Sequence, residues 1–391
     1  MIKDGFLYIA ALIFTAAVIV CLPKLFRGRA AERFFGFAPP VVLIYLVLMA
    51  MCTLKLWDLG ATAEAYGSLK NPLLYAMLFI MLLRCDLRKI VRLGPKMLVG
   101  FFAAAVSIGL GFLVSFAVMR GVLGEEAWKP LGALCGSWMG GGGNMLAVQA
   151  ALNIDESMMA YALVMDSICG MLYVMFLLWA VGFPDKFNRW TRADTRALDS
   201  IGAALEQETR GDTRKVTWQN ILLLTGSGLL AAALCSELGG IIGSAAPLFD
   251  RATWTVLLIT VLGVILAMTP LGRLKGTEEV SNMLLYIVIA LIASRADLGA
   301  MGNAPAWLLA GVIILAVHVG IMVILAKLLR LDIFTCAVAS LANIGGTATA
   351  PVLAGTYSSA LVPVGVIMAL LGYVVGTGGG LLVAQIMSTM A

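Results

Sequence analysis

The chain has 391 residues, of which 61% are hydrophobic and 13% charged, and its 27 basic and 22 acidic side chains leave a net charge of +5. A soluble domain carries about 25% charged residues, so an ordinary globular protein is excluded, and the recurring apolar segments exclude disorder. The apolar residues come in continuous runs instead of alternating, which excludes an outer-membrane barrel and leaves an all-α polytopic membrane protein.

In chain order the runs fall at 5–22, 39–56, 71–83, 97–119, 130–152, 157–182, 219–243, 252–269, 280–294, 304–326, 333–356 and 360–387. Most approach the roughly 20 residues that cross about 30 Å of hydrocarbon. The first lacks a small-x-small cleavage site and is kept as a span, not a secretory signal. Seven cysteines lie mostly inside these runs with no C-x-x-C pair, and they read as small apolar fillers. The basic residues cluster in loops, where membrane topology accounts for them without nucleic acid.

If every run crosses, the basic residues divide 11 to 16 between the two sides, a poor match to the positive-inside rule. If one run between 97 and 182 returns to its own side, the basic loops fall 20 inside to 7 outside. The run to suspect is 130–152, whose centre, Trp138 to Asn144, holds four consecutive glycines. Each glycine costs a helix about 1 kcal/mol relative to alanine. Unwound backbone at that depth must be buried in protein or line a cavity.

The chain also repeats itself. Asn71 to Leu87 aligns without gaps on Asn282 to Leu298 with seven identities in seventeen positions. Farther on, Ser137, Gly142 and Gly143 match Ser340, Gly345 and Gly346. The expected organisation is a first repeat at 1–182, a cytoplasmic linker at 183–217 and a second repeat at 218–391. With 333–356 also re-entrant, each half has five full crossings plus one interrupted segment, and an odd number inverts the second half. Inverted repeats with paired interruptions are the pattern of secondary transporters. By contrast, Gly372, Gly376 and Gly380 at spacing four read as a close-packing face.

Three stretches carry a resemblance: Ser137 to Met145, Ala342 to Pro351, and Leu361 to Gly365 followed by Leu370 to Tyr373. Over essentially the whole chain the sequence resembles the bacterial membrane family catalogued as domain of unknown function 819. That family looks like a branch of the cation:proton antiporter and anion transporter group, with its sodium:bile acid and sodium:glutamate symporters. The resemblance implies a panel domain and a core domain whose interrupted elements meet at the substrate site. In the bile acid branch those elements cross the membrane, whereas the charge count here favours the re-entrant form of the glutamate branch.

A helix broken at mid-depth exposes N–H groups at one half-helix start and carbonyls at the other half-helix end, which attract anions and cations respectively. The candidate substrate residues are Ser137, Gly141, Gly142, Gly143, Asn144, Asn343, Gly345, Gly346, Thr347 and Thr349. Asn144 is expected to cap a half-helix from Met145 to Ala151, and Thr347 or Thr349 to cap one with Pro351 in its first turn. Asp166 is a carboxylate deep inside a span, so it must face the bundle interior and be paired or protonated. With Asn144 and Thr347 it is the candidate site for a coupling ion, Na⁺ or H⁺; no other metal and no cofactor is expected. Arg84 with Asp86, and Arg295 with Asp297, read as anchors of helix ends, Glu237 as an interfacial residue, and His318 as a buried, hydrogen-bonded histidine.

These readings add up to an elevator-like secondary active transporter of a small polar or anionic organic solute, in a bacterial inner membrane, and not an enzyme. A homodimer is the oligomer considered, and the expected partners are the bilayer and the solute. A passive channel is the alternative, because glycine breaks also line filters. A membrane-embedded protease would need a Gly-x-Ser-Gly element or a second intramembrane carboxylate, and an ATP-driven pump a phosphate-binding loop; the sequence has none of these.

Overall fold

The computed structural model describes residues 1–26, 34–35, 40–91, 93–193, 215–245, 251–296, 304–357 and 361–391. Most of the stretch expected to be a linker, residues 194–214, and Asp297 lie outside them. The first half contains α1 (Gly5–Leu25), α2 (Pro40–Thr53), α3 (Ala63–Leu82), α4 (Gly94–Leu123), α5 (Trp128–Gly140), α6 (Gly142–Ala151) and α7 (Glu156–Ala180). The second contains α8 (Trp218–Ala245), α9 (Arg251–Ala267), α10 (Thr277–Ala293), α11 (Ala304–Leu329), α12 (Ile333–Ile344), α13 (Gly346–Tyr357) and α14 (Val362–Ser388). Each of the twelve apolar runs is helical, and the two glycine-rich runs are each split in two. Among the described residues the sole strand-like pairing is an isolated bridge between Ile2 and Trp57.

Six of these helices, α1, α4, α7, α8, α11 and α14, are long and apolar enough to cross a bilayer. The most apolar stretch of α1 is 22% buried in the protein and those of α8 and α11 are 28% buried, against 56% for α4 and 61% for α14. The outer helices present Phe14, Leu230, Ile241 and Ile324 outward, which is stable only against lipid. The chain is therefore a multi-pass helical membrane protein.

The aligned segments on α3 and α10 run antiparallel. Arg84, just past the end of α3, pairs with Glu278 at the start of α10 at 2.9 Å. At the opposite end Arg295, just past α10, donates to the Leu59 carbonyl at 2.5 Å and to Thr62 Oγ1 at 3.2 Å, ahead of α3. Both arginines thus tie one helix end to the partner helix's start. Asp86 instead pairs with Arg88 at 2.9 Å.

The polar stretch expected to link the halves begins after α7. It opens with a helix, Pro184–Thr191, that docks on the second half: Asn188 Oδ1 accepts from the Ile333 N–H at 2.9 Å, and Lys327 donates to the Trp190 carbonyl.

α5 and α14 meet backbone to backbone. A Cβ added at Gly376 would lie 2.8 Å from the Gly136 carbonyl oxygen, and one at Gly380 would lie 2.9 Å from that of Gly132. In lipid, where no hydrophobic force separates helix from solvent, such close van der Waals packing is what joins helices. Gly376→Val should cost about 1–3 kcal/mol by overpacking and lower the thermal midpoint of the purified protein in detergent. Gly320→Ala, whose added Cβ meets nothing within 4 Å, should leave the midpoint unchanged or slightly raised.

Candidate functional site

Both broken runs fold back on themselves. In the first, a Cβ at Gly136 of α5 would lie 3.0 Å from the Val148 side chain of α6, twelve residues later. In the second, the Phe334 ring at the start of α12 lies 4.8 Å from that of Tyr357 at the end of α13. Each run is therefore a helical hairpin with its glycines at the tip. A half-helix of 13 residues rises about 20 Å, short of the roughly 30 Å of hydrocarbon, so a tip ends inside the membrane.

The tips demand glycine. Gly141 takes φ 89° and Gly346 takes φ 59°, backbone regions that a side chain strains. Neither half-helix start carries the cap expected from sequence. α6 begins at Gly142, with Gly141 in the capping position and no side-chain bond to it. Asn144 instead points back, donating from Nδ2 to the Gly140 carbonyl at 2.7 Å and accepting at Oδ1 from Thr377 at 2.6 Å. Thr347 hydrogen-bonds the Tyr373 hydroxyl at 2.9 Å, and Thr349 Oγ1 is buried without a partner. Pro351 falls beyond the first turn of α13, so its missing N–H leaves the Thr347 carbonyl without its helical donor. The expected caps fail because both helices start one to three residues earlier than the polar side chains suggest.

The two tips face one another across a cavity of about 170 Å³. Gly141, Gly142 and Gly143 form one wall, and Gly345, Gly346 and Thr347 form the opposite one. Met77 and Met81 of α3 close a third side, Ser281 and Asn282 of α10 a fourth, and Tyr373 of α14 bridges the tips. The starts of α6 and α13 both reach this space, so unpaired N–H groups border it, with the carbonyl ends of α5 and α12 beside them.

The remaining candidates stand behind the cavity and do not line it. Asn343 is buried and donates to the carbonyls of Ala339 at 2.9 Å and Phe101 at 3.3 Å, leaving its Oδ1 without a hydrogen bond. Asp166 Oδ1 accepts from Trp138 Nε1 at 2.9 Å and from Ser137 Oγ at 3.2 Å. It therefore braces α5 one turn before the tip and does not face the shared space. His318 is buried and bonded at both nitrogens, to Ser107 at 2.7 Å and to Ser340 at 3.1 Å. Glu237 pairs with Arg251 at 3.2 Å on the surface.

Sequence reasoning passed over Tyr373, Met77, Met81 and Ser281 as site residues. Tyr373 ends the stretch Leu370 to Tyr373, one of those that carry the family resemblance, which was a usable signal. Nothing in the pattern of α3 marks its two methionines.

This is a polytopic membrane protein built around two facing helical hairpins with glycine tips. The chain belongs to the family described as protein of unknown function DUF819, whose model matches residues 10–390. It is similar to an uncharacterised membrane protein, YjcL, of Bacillus subtilis strain 168, at 23% identity over 314 residues, covering 76% of this chain and 77% of that protein.

The bond that bridges the tips supports a double-mutant cycle. Thr347→Val and Tyr373→Phe should each cost about 1 kcal/mol, and the double variant should cost little more than either alone. Thermal unfolding of the four purified proteins measures the coupling; fully additive losses would mean that the two hydroxyls do not interact.

Proposed function

We propose that the protein is a secondary active transporter that carries a small polar or anionic organic solute, coupled to Na⁺ or H⁺, in the cavity between the two hairpin tips. The observation that carries this reading is the meeting of the two unwound tips around one shared, partly polar space. Unpaired N–H groups at helix starts are suited to a carboxylate, and water-excluded dipoles fixed by the fold bind it without reorganising.

Inverted repeats are the architecture that the reading requires. The antiparallel run of the aligned α3 and α10, and the occurrence of one split run in each half, support it. In this reading the hairpins with α4, α7, α11 and α14 form a transport core, and the remaining helices a panel against which it slides. The positive-inside count supports a cytoplasmic position for the loop at 84–96, in an inner membrane.

Two features support cation coupling. Asp166 carries an intramembrane carboxylate held against the half-helix that leads to the first tip. At the second tip Asn343 Oδ1 and Thr349 Oγ1 are buried oxygens with no hydrogen-bond donor, and such groups are stabilised by a bound cation.

Purified protein in liposomes, screened against carboxylates, amino acids and short peptides, should accumulate one class against its gradient when a Na⁺ or H⁺ gradient is imposed. Asp166→Asn should abolish the cation dependence. Equilibration without accumulation would make the protein a channel, and unaltered coupling in the variant would remove Asp166 from the mechanism.

A further inference from the structure

The cavity between the tips has a neighbour in line with it. On three separate helices the wall changes within one helical turn: from Met81 to Arg84 beyond α3, from Ser281 back to Glu278 on α10, and from Tyr373 back to Leu370 on α14. Residues three apart share a helix face, so the two spaces follow one another along the same surfaces. The second space is a vestibule of about 720 Å³ whose lining includes five basic and three acidic side chains. One of the acids, Asp86, is held by Arg88, which keeps its carboxyl below the usual carboxylate range. The lining carries two more positive than negative side chains.

Arg84 stands at the junction. Its side chain is 16% exposed and donates to Glu278, whose side chain is 57% exposed. A pair with one partner that open to water is weak and exchangeable. Its counterpart at the aligned position is not. Arg295 is fixed by the Leu59 carbonyl and Thr62, and its guanidinium lies 4.7 Å from the Tyr66 ring centre. Trp57 Nε1 closes the same end by donating to the Ser294 carbonyl at 2.9 Å. One end of the α3 and α10 pair is sealed, and the other is latched by a carboxylate that a second carboxylate can replace.

We infer that Arg84 is the anion-recognising residue of the entrance, and that Glu278 holds in the resting protein the place that a solute's carboxylate takes on arrival from the vestibule. Arg84 holds Glu278 through one bond, from Nη2 at 2.9 Å, whereas a guanidinium fork can engage a free carboxylate bidentately, so exchange adds a bond while clearing the path to the tips. Small organic carboxylates are admitted ahead of organic cations of the same size. Onward movement of the solute rests on the transporter reading above; admission does not.

The test places a reporter thiol in the inner cavity. Gly142→Cys in a Cys21→Ser background suits this, because a Cβ at Gly142 meets nothing within 4 Å. The probes are anionic sulfonatoethyl and cationic trimethylammonioethyl methanethiosulfonates, applied to inside-out vesicles. Each rate is corrected for labelling without Gly142→Cys and normalised to that reagent's rate with a free thiol. The anionic reagent should be favoured, and Glu278→Gln should raise its rate about fivefold at low ionic strength, an advantage that salt screens. Arg84→Gln should abolish the preference and Arg84→Lys should retain part of it, which separates loss of charge from loss of fold. A preference unchanged by both Glu278→Gln and Arg84→Gln overturns the inference. Charge-selective labelling without uptake in liposomes would leave the entrance standing and defeat the transporter reading, whereas coupled uptake with unselective labelling would defeat the entrance alone.

Discussion

Everything in this molecule follows from the cost of unwinding backbone where no water can reach it. A helix that crosses lipid satisfies its own N–H and C=O groups, and one broken at mid-depth does not. The structure breaks two and must supply protein around both. The inner helices are accordingly more buried than a simple bundle requires, and α3, α4, α10 and α14 surround the hairpins while α1, α8 and α11 face outward. The cavity between the tips is the part of that debt left unsatisfied, and for that reason it is the part able to hold something.

The two hairpins meet the same need differently. The first is held by direct backbone contact, with Gly372 and Gly376 of α14 pressed against Gly140 and its preceding turn, and by the bridge from Asn144 to Thr377. The second leans on α4: a Cβ at Gly100 would lie 2.9 Å from the Thr335 side chain, and Asn343 reaches the Phe101 carbonyl. It also leaves two buried oxygens without donors. Equivalent sequence has therefore produced unequal chemistry. At the first tip the Asn144 side chain is bonded at both its amide atoms, and the unbonded oxygen of that hairpin, Gln149 Oε1, lies toward the far end of α6, while the second tip keeps two acceptors without donors.

The same inequality marks the two ends of the α3 and α10 pair. One aligned arginine is packed among aromatic rings and carbonyls, and the other meets a solvent-exposed carboxylate. A molecule assembled from two related units stays symmetric only if neither side is preferred, and a carrier must open to one side at a time. In the transporter we propose, the difference between Arg84 and Arg295 would favour one side over the other.

The spans, the two glycine interruptions and the offset between aligned segments are legible in the sequence because each depends on local composition: apolar length, runs of glycine, and identities at a fixed spacing. Even the close packing of Gly372, Gly376 and Gly380 is readable, since their spacing places them on one helix face. The capping roles of Asn144, Thr347 and Thr349 were not legible, because a cap depends on where the helix begins, and tertiary contact moved both starts onto glycine. Nor could the sequence place Asp166 behind α5, seat Tyr373 between the tips, or couple Arg84 to Glu278, 194 residues away. Those pairings are set by which faces of distant helices meet in the bilayer, and that is a property of the packed bundle that no local stretch of chain encodes.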